Sequence, residues 1–206
     1  VRTLVQAGRS ILIGHPASLS MLWAYELDMI LADSKALVIP ALATRQHPFV
    51  YSLKTVVEQS IAGNGPLGPI ESLQIERQQP NRDQDSVLGG FACDADIIRV
   101  LTGDPSRLMA LGGGDAGWAN LAVGLSGPDQ ISVRWQIARG QVQKLIIQLI
   151  CERGRLSIHV PERACGVWKV TQQIDVDTPD LLPTFPSEKL LFNPADLLLD
   201  LSLIHI

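Results

Sequence analysis

Hydrophobic residues in the first 61 positions alternate between helical spacing and short continuous runs. The helical stretches carry apolar residues three and four apart, whereas the runs are apolar on both faces, as in buried parallel strands. The pattern predicts the order αβαβα, over residues 1–8, 10–13, 18–33, 36–43 and 47–61. A helix that ends in glycine and leads at once into a strand is typical of the second half of a βαβ unit. We therefore expect the tail of a doubly wound layer, in which a parallel partner for strand 10–13 stands upstream of Val1.

The pattern changes after Gly68. Residues 70–77 alternate as a strand, 78–86 are polar, and 88–101 have helical spacing. Six strand-like runs separated by turns follow, at 107–111, 119–125, 130–137, 143–151, 155–160 and 167–176. An antiparallel meander after one helix is the expected arrangement. The architecture is thus half of a Rossmann layer joined to a strand-rich second domain.

Composition excludes several classes of protein. With 46% hydrophobic and 18% charged residues, the chain can form a core and is too apolar to be disordered. A net charge of −4 argues against nucleic acid or anionic lipid as a partner. No apolar run approaches the roughly 20 residues of a membrane span, and the start lacks a signal-peptide pattern. Cys93, Cys151 and Cys165 are odd in number, widely spaced and not arranged as CxxC. They indicate reduced thiols in a cytoplasmic protein and not a disulfide framework or zinc site.

Neither end resembles a natural terminus. Val1 rather than methionine opens the chain, inside a predicted helix. Residues 201–206 resemble the conceptual translation of a transposon-end adaptor used in sequencing libraries, and a genuine apolar tail is the alternative. We expect a fragment of a longer gene and leave these six residues, His205 included, out of the search for functional groups.

Short segments match, in order and spacing, the motifs of one enzyme family. Residues 4–16 are similar to AL-x-AGKHVL-x-EKP, and residues 44–48 to R-F-x-P. Further along, 53–70 are similar to LK…G-x-IG-x-I, 96–103 to D-x-x-x-x-L-x-G, and 151–156 to G-x-x-G-x-L. Together they resemble the glucose–fructose oxidoreductase / inositol dehydrogenase / MocA (Gfo/Idh/MocA) family.

This resemblance implies a fold class of α/β plus α+β. The C-terminal part of a Rossmann-like doubly wound domain (1–46) would precede an α/β domain with a large open, mostly antiparallel sheet (47–200). It further implies NAD or NADP as cofactor, a sugar, cyclitol or related polyol as substrate, and a homo-oligomer formed through the C-terminal sheet. The glycine-rich pyrophosphate fingerprint is not among these residues, so the cofactor rests on resemblance alone.

The first site segment departs from the family pattern. The lysine of EKP is replaced by His15 and the preceding glutamate by Gly14. Because the EKP segment of the family lies beside the nicotinamide, the resemblance implies that Gly14, His15 and Pro16 border the cofactor. A histidine can donate or accept a proton near neutral pH, which makes His15 a candidate catalytic residue. A strand-end histidine that fills a pocket mouth is the alternative.

The second site segment of the family, D-x-G-x-H-x-x-D, is largely replaced. When the last aspartate of the motif is aligned on Asp96, Cys93 occupies the histidine position. Phe91 then occupies the glycine position and Gly89 the position of the first aspartate. Asp94, two positions before Asp96, cannot take the place of a missing motif residue without a shift of the helix. Cys93 is either a candidate catalytic thiol with a lowered pKa or a small buried hydrophobe. Asp96 either contacts a substrate hydroxyl or interacts with the helix dipole.

Three further side chains are assigned from their positions. Arg45 is a candidate substrate-binding residue that would clamp an anionic group or pair with an acid across the domain junction. His47, beside Pro48, is expected on the surface in the first turn of a helix. His159 alternates out of its strand and is expected to be solvated.

Two functions remain open. The chain is either part of an NAD(P)-dependent oxidoreductase with altered catalytic positions, or a non-catalytic relative that serves as a binding or regulatory subunit. Loss of the lysine, aspartate and histidine positions together is what the second account predicts. The enzyme account depends on one pocket shared by the His15 loop and the Cys93–Asp96 helix.

Overall fold

In this computed structural model, residues 1–16, 18–113, 117–127, 129, 131–162, 166–174 and 185 are described. The chain divides into two compact units, the first Val1–Leu42 and the second starting at Ala43. Cys165 and the segment 201–206 lie outside the described residues. No helix in the described ranges is both long and apolar enough to cross a membrane.

The first unit consists of two helices and two parallel strands. Its elements are α1 (Arg2–Gln6), β1 (Ile11–Gly14), α2 (Met21–Ala32) and β2 (Val38–Ala41). Gly8, with a φ of 71°, follows α1, and the Ser20 hydroxyl accepts a hydrogen bond from the Trp23 amide and so caps α2. Because β1 and β2 pair in parallel with α2 between them, this unit has the expected βαβ organisation.

The prediction of a fully buried strand at 36–43 was wrong. β2 covers only Val38–Ala41, and its residues are half-buried except Pro40, which is exposed. Within the described part of the first unit β2 pairs with β1 alone, and a sheet of two strands covers its members incompletely.

The second unit has two long helices and a seven-stranded sheet. After a 3₁₀ turn at Ala43–Gln46 come α3 (Pro48–Ile61), β3 (Ile70–Gln79), α4 (Gln84–Thr102) and β4 (Arg107–Leu111). A second 3₁₀ turn precedes β5 (Ala122–Ser126), β6 (Ser132–Arg139), β7 (Lys144–Cys151), β8 (Gly154–Val160) and β9 (Lys169–Ile174). The predicted fold class is confirmed, since this sheet is mostly antiparallel and follows a parallel αβ layer.

The strand order corrects the predicted single meander. The order is β4-β5-β6-β3-β7-β8-β9, so β3 lies between β6 and β7 and pairs in parallel with β6. The β6–β7 connection therefore crosses the end of β3, where the Gly140 amide donates to the Gln79 carbonyl at 3.3 Å. A Cβ at Gly140 would lie 2.9 Å from the Gln78 Cβ, so this crossing requires glycine.

The core fills the space between one face of the sheet and the two helices. β3 contributes Leu73 and Ile75 at alternating positions, and α3 contributes Phe49 and Leu53. Ile61, the last residue of α3, is 45% exposed.

One charged group lies inside this core. Asp94 on α4 is completely buried and accepts hydrogen bonds from Arg77 Nε at 2.7 Å and Arg77 Nη2 at 2.5 Å. The indole Nε1 of Trp135 on β6 donates a third, at 2.8 Å. The ring of Phe91 packs edge-on against Trp135. These bonds attach α4 to β3 and β6 and satisfy a carboxylate that would otherwise be costly to bury.

His47 is buried, which contradicts its predicted surface position. It is 1% exposed, and its Nδ1 accepts the Phe49 amide at 3.2 Å as the N-cap of α3. Its ring stacks on Trp168 with centroids 3.6 Å apart, so an aromatic residue distant in sequence covers it. Burial lowers the pKa of His47 from 6.5 to about 4.

The second unit should lose stability in mild acid through His47. Because the folded-state pKa lies below the unfolded value, the contribution is complete above pH 6.5 and is lost as the pH falls toward 4. We expect a loss of roughly 2 kcal/mol in the free energy of unfolding between about pH 7 and pH 5. His47→Asn, which retains an N-cap, should remove most of this slope in urea titrations, whereas exposed His159→Asn should retain it. Equal slopes in the two variants would contradict the assignment.

Asp94→Asn should destabilise the second unit far more than removal of a surface carboxylate. The variant leaves the largely buried Arg77 guanidinium without its counter-charge, which costs about 3–5 kcal/mol. Asp104→Asn is the matched control, because the Arg99–Asp104 pair is exposed and is worth less than about 1 kcal/mol. Urea unfolding, followed by tryptophan fluorescence, measures the free energy of unfolding of both variants. Similar losses of stability in the two variants would mean that the buried ion pair is not the stronger constraint.

Candidate functional site

Two of the predicted site residues form an ion pair. Arg45 lies in the 3₁₀ turn at Ala43–Gln46, and its Nη1 is 3.0 Å from Asp96 Oδ1 on α4. The Asp96 side chain is 13% exposed and that of Arg45 is 44% exposed. Arg45 pairs with an acid, but both partners belong to the second unit, so this pair is not the one across the domain junction that was considered for Arg45. The remaining guanidinium donors of Arg45 are near the surface, where they can contact a ligand.

Cys93 has the wrong electrostatic environment for an activated thiol. It is half-buried beside Asp94, and burial raises its thiol pKa, with Asp94 and Asp96 adding to the effect and Arg77 opposing it. The neutral thiol therefore dominates at neutral pH, whereas a nucleophilic cysteine needs a lowered pKa. Cys151 is similar, since burial and nearby Glu71 raise the pKa of its thiol to about 11.

A cavity of about 110 Å³ lies beside the end of β3. Leu145, Val160 and Pro161 form its apolar side, and its polar side chains are Thr44, Arg77, Gln143, Lys144 and Glu162. Lys144, Gln143 and Glu162 are exposed at the rim, while Leu145 and Val160 are buried. The cavity therefore combines an apolar wall with charged and hydroxyl groups.

Sequence reasoning missed Arg77 and Asp94, although one signal was present. Arg77 follows Leu73 and Ile75 at the inward-facing positions of an alternating strand. A charged residue at such a position needs a buried partner, and α4 offered Asp94. Sequence spacing alone could not show that this aspartate faces the sheet while Asp96 faces Arg45.

The predicted cofactor residues follow β1. Gly14 ends the strand, and His15 and Pro16 come directly after it, joined by a cis peptide bond. The carboxyl ends of β1 and β2 lie on the same edge because the strands are parallel. His15 belongs to the first unit and Cys93 to the second, so the pocket that they were predicted to share stays a prediction.

Metal binding finds no support in the described ranges. No group of three or more histidine, cysteine, aspartate and glutamate side chains there is arranged to hold a metal ion.

Comparison with known proteins was informative only at the level of structure. No family model matches the sequence, and no curated protein matches it. Levoglucosan dehydrogenase, in complex with NADH and L-sorbose, superposes with a TM-score of 0.67 at 17% identity, over 94% of this chain and 57% of that one.

Two other solved structures have the same relationship to the chain. The WlbA dehydrogenase from Bordetella pertussis, in complex with NADH and UDP-GlcNAcA, gives a TM-score of 0.64 at 12% identity, over 87% of this chain and 56% of that one. An oxidoreductase from Sinorhizobium meliloti gives a TM-score of 0.61 at 14% identity, over 83% of this chain and 50% of that one.

The chain spans 50–57% of the length of these three proteins. They are oxidoreductases of the Gfo/Idh/MocA type, the family that the sequence motifs resemble. At these identities the likeness concerns the fold, and it extends over both units of the chain. This chain therefore has the fold of the Gfo/Idh/MocA-type oxidoreductases.

Proposed function

We propose that the chain is part of an NAD(P)-dependent oxidoreductase that transfers a hydride between the nicotinamide and a carbinol carbon of a sugar, cyclitol or related polyol. The observation that carries this proposal is the match over 94% of the chain with an enzyme that holds NADH and L-sorbose. A second neighbour holds NADH and UDP-GlcNAcA, which also contains a carbohydrate. The proposed division is at residue 46, with the cofactor layer before it and the substrate domain after it.

The β1 end fits a nicotinamide cofactor. In open parallel sheets, nucleotides bind beyond the carboxyl ends of the strands, where Gly14, His15 and Pro16 follow β1. Among the described residues, no heavy atom lies within 4 Å of a Cβ built on Gly14, so the backbone there is open to close approach. When bound, NAD(P) would supply the hydride acceptor or donor, and the protein would orient the substrate and handle the proton.

Proton transfer in this proposal belongs to His15. On α4, Cys93 is held neutral by its raised pKa, and Asp94 is occupied by Arg77 and Trp135. A histidine beside the nicotinamide would take the proton of the substrate hydroxyl during oxidation and return it during reduction. Cys93 would then be an uncharged group in the wall of the substrate site.

Substrate positioning belongs to Arg45 and Asp96. Their ion pair holds the two side chains 3.0 Å apart while the unused donors of Arg45 stay accessible. A carboxylate fixed by arginine is a suitable acceptor for a substrate hydroxyl, because its orientation is set before the substrate binds.

A non-catalytic role is the second candidate. The raised thiol pKa of Cys93 and the complete engagement of Asp94 favour it, since neither group can replace the missing histidine of the family motif. In that case the protein would bind a cofactor or carbohydrate as a regulatory subunit without turnover.

Turnover by the full gene product, including any sequence before Val1, separates the two candidates. We expect NADH or NADPH to bind, as followed by cofactor fluorescence, and a polyol or sugar in a broad panel to be oxidised. His15→Ala should lower kcat at least about 100-fold with little effect on cofactor affinity, because general acid–base groups contribute that much. His159→Ala is the control. Cofactor binding without turnover across the panel would favour the regulatory subunit, and absence of both would exclude either candidate.

Self-association through the open sheet is also proposed. Resemblance to the family implies face-to-face packing of two such sheets, and Ile146, Gln148 and Ile150 alternate with the buried residues of β7 on the face away from the helices. Glu76 in the adjacent strand accepts hydrogen bonds from Gln136 Nε2 at 2.8 Å and from Gln78 Nε2 at 2.7 Å, so this carboxylate already has partners on the outer face.

The full gene product should therefore elute as a dimer or larger assembly in size-exclusion chromatography with light scattering. Ile146→Glu should shift it toward monomer, because a charge would be buried in the interface. Leu108→Glu, at the exposed edge strand β4, should leave the assembly intact. A monomeric parent protein, or dissociation by both variants alike, would refute the proposed interface.

A further inference from the structure

Arg77 presents donors on two sides. Its Nε and Nη2 bind the two oxygens of Asp94, which is the side-on arrangement of a guanidinium and a carboxylate. The planar fork then turns Nη1 away from Asp94, and Nη1 forms no hydrogen bond to the described residues. Arg77 also lines the 110 Å³ cavity, and its side chain is only 15% exposed. A largely buried cation with unused donors thus borders a space large enough for a ligand group.

Lys144 adds a second cation at the rim of the same cavity. It forms no ion pair in the described part of the chain, and Glu162, which also lines the cavity, is not among its partners at 4.0 Å or less. The cavity therefore offers two sets of N–H donors in Arg77 and Lys144. It also offers two groups that can contact hydroxyls, the Glu162 carboxylate and the Thr44 side chain.

We infer that this cavity binds the carboxylate end of a sugar acid, an inference that rests on the proposed function in taking the cavity as part of the substrate site. The carboxylate would accept hydrogen bonds from Arg77 Nη1 and Lys144, while neighbouring hydroxyls would contact Thr44 and donate to Glu162. A cavity of about 150 Å³ takes a six-membered ring, so this one holds the acid end while the remainder of the sugar extends past the rim.

The charge distribution favours a carboxylate over a phosphate. Arg77 already shares its charge with Asp94, and Glu162 repels a second negative charge at the rim. Among the described residues that line the cavity, Lys144 is the cation without an ion-pair partner, so a single negative charge matches it and a dianion would exceed it. The substrate class is thereby narrowed from polyols in general to polyhydroxylated monocarboxylates.

Calorimetric titration of the full gene product, without nicotinamide cofactor, tests this inference. The probes are D-glucuronate, D-glucose and D-glucose 6-phosphate. We expect D-glucuronate to bind at least about tenfold more tightly than either other probe, since a charge-assisted hydrogen bond is lost with glucose. Equal affinity for glucuronate and glucose, tighter binding of the phosphate, or no binding of any probe would overturn the inference.

Lys144→Gln identifies the site. It should weaken glucuronate binding about tenfold and leave glucose binding unchanged, because only the carboxylate contacts the ammonium group. Lys169→Gln, an exposed lysine on β9, is the matched control and should change neither affinity. Identical affinities in the two variants would place the carboxylate elsewhere. Because the titrations contain no nicotinamide cofactor, they do not depend on hydride transfer. Failure of the proposed hydride transfer and failure of the proposed carboxylate site are therefore distinguishable.

Discussion

The burial of one carboxylate constrains the second unit more than any other single interaction described. Asp94 has no access to water, and an unpaired charge in such a position costs several kcal/mol or more. Arg77 and Trp135 satisfy it from β3 and β6, so α4 can adopt only the rotation and register that bring Asp94 to both strands. Three directional hydrogen bonds cannot be kept after a shift of one residue, so they add to the constraint from apolar packing. The orientation of the other side chains on α4 follows from the fixed position of Asp94.

That orientation determines which chemistry α4 can support. With Asp94 directed into the sheet, Asp96 reaches Arg45. Cys93 is left half-buried, and burial raises the pKa of its thiol, with smaller contributions from Asp94 and Asp96. The helix thus holds fixed acceptors and one neutral group, and it offers no side chain suited to exchange protons at neutral pH. Its contribution is orientation and charge.

Local patterns in the sequence were sufficient for most of the elements but not for their long-range contacts. Period-two and helical spacing located β3–β9 and the four helices because each signal is contained within a few residues. The position of β3 between β6 and β7 depends on pairing between distant segments, which alternation does not encode. His47 was misassigned for the same reason, since Trp168, which buries it, lies far along the chain. At the candidate site, the motif positions found Arg45 and Asp96, whereas Arg77 and Lys144 were missed because neither belongs to a motif.

Arg77 connects the stability of the fold with the properties of the cavity. A lysine could neutralise Asp94, but a single ammonium group on a flexible stem cannot bind both carboxylate oxygens and also direct donors to the opposite side. The guanidinium does both because its five N–H groups are fixed in one plane. Its bonds to Asp94 also hold the side chain in one orientation, so little entropy is lost when a ligand engages Nη1. The interaction that sets the register of α4 therefore also preorganises the cavity, which gives a physical reason for arginine at an inward-facing strand position where an apolar residue would otherwise be expected.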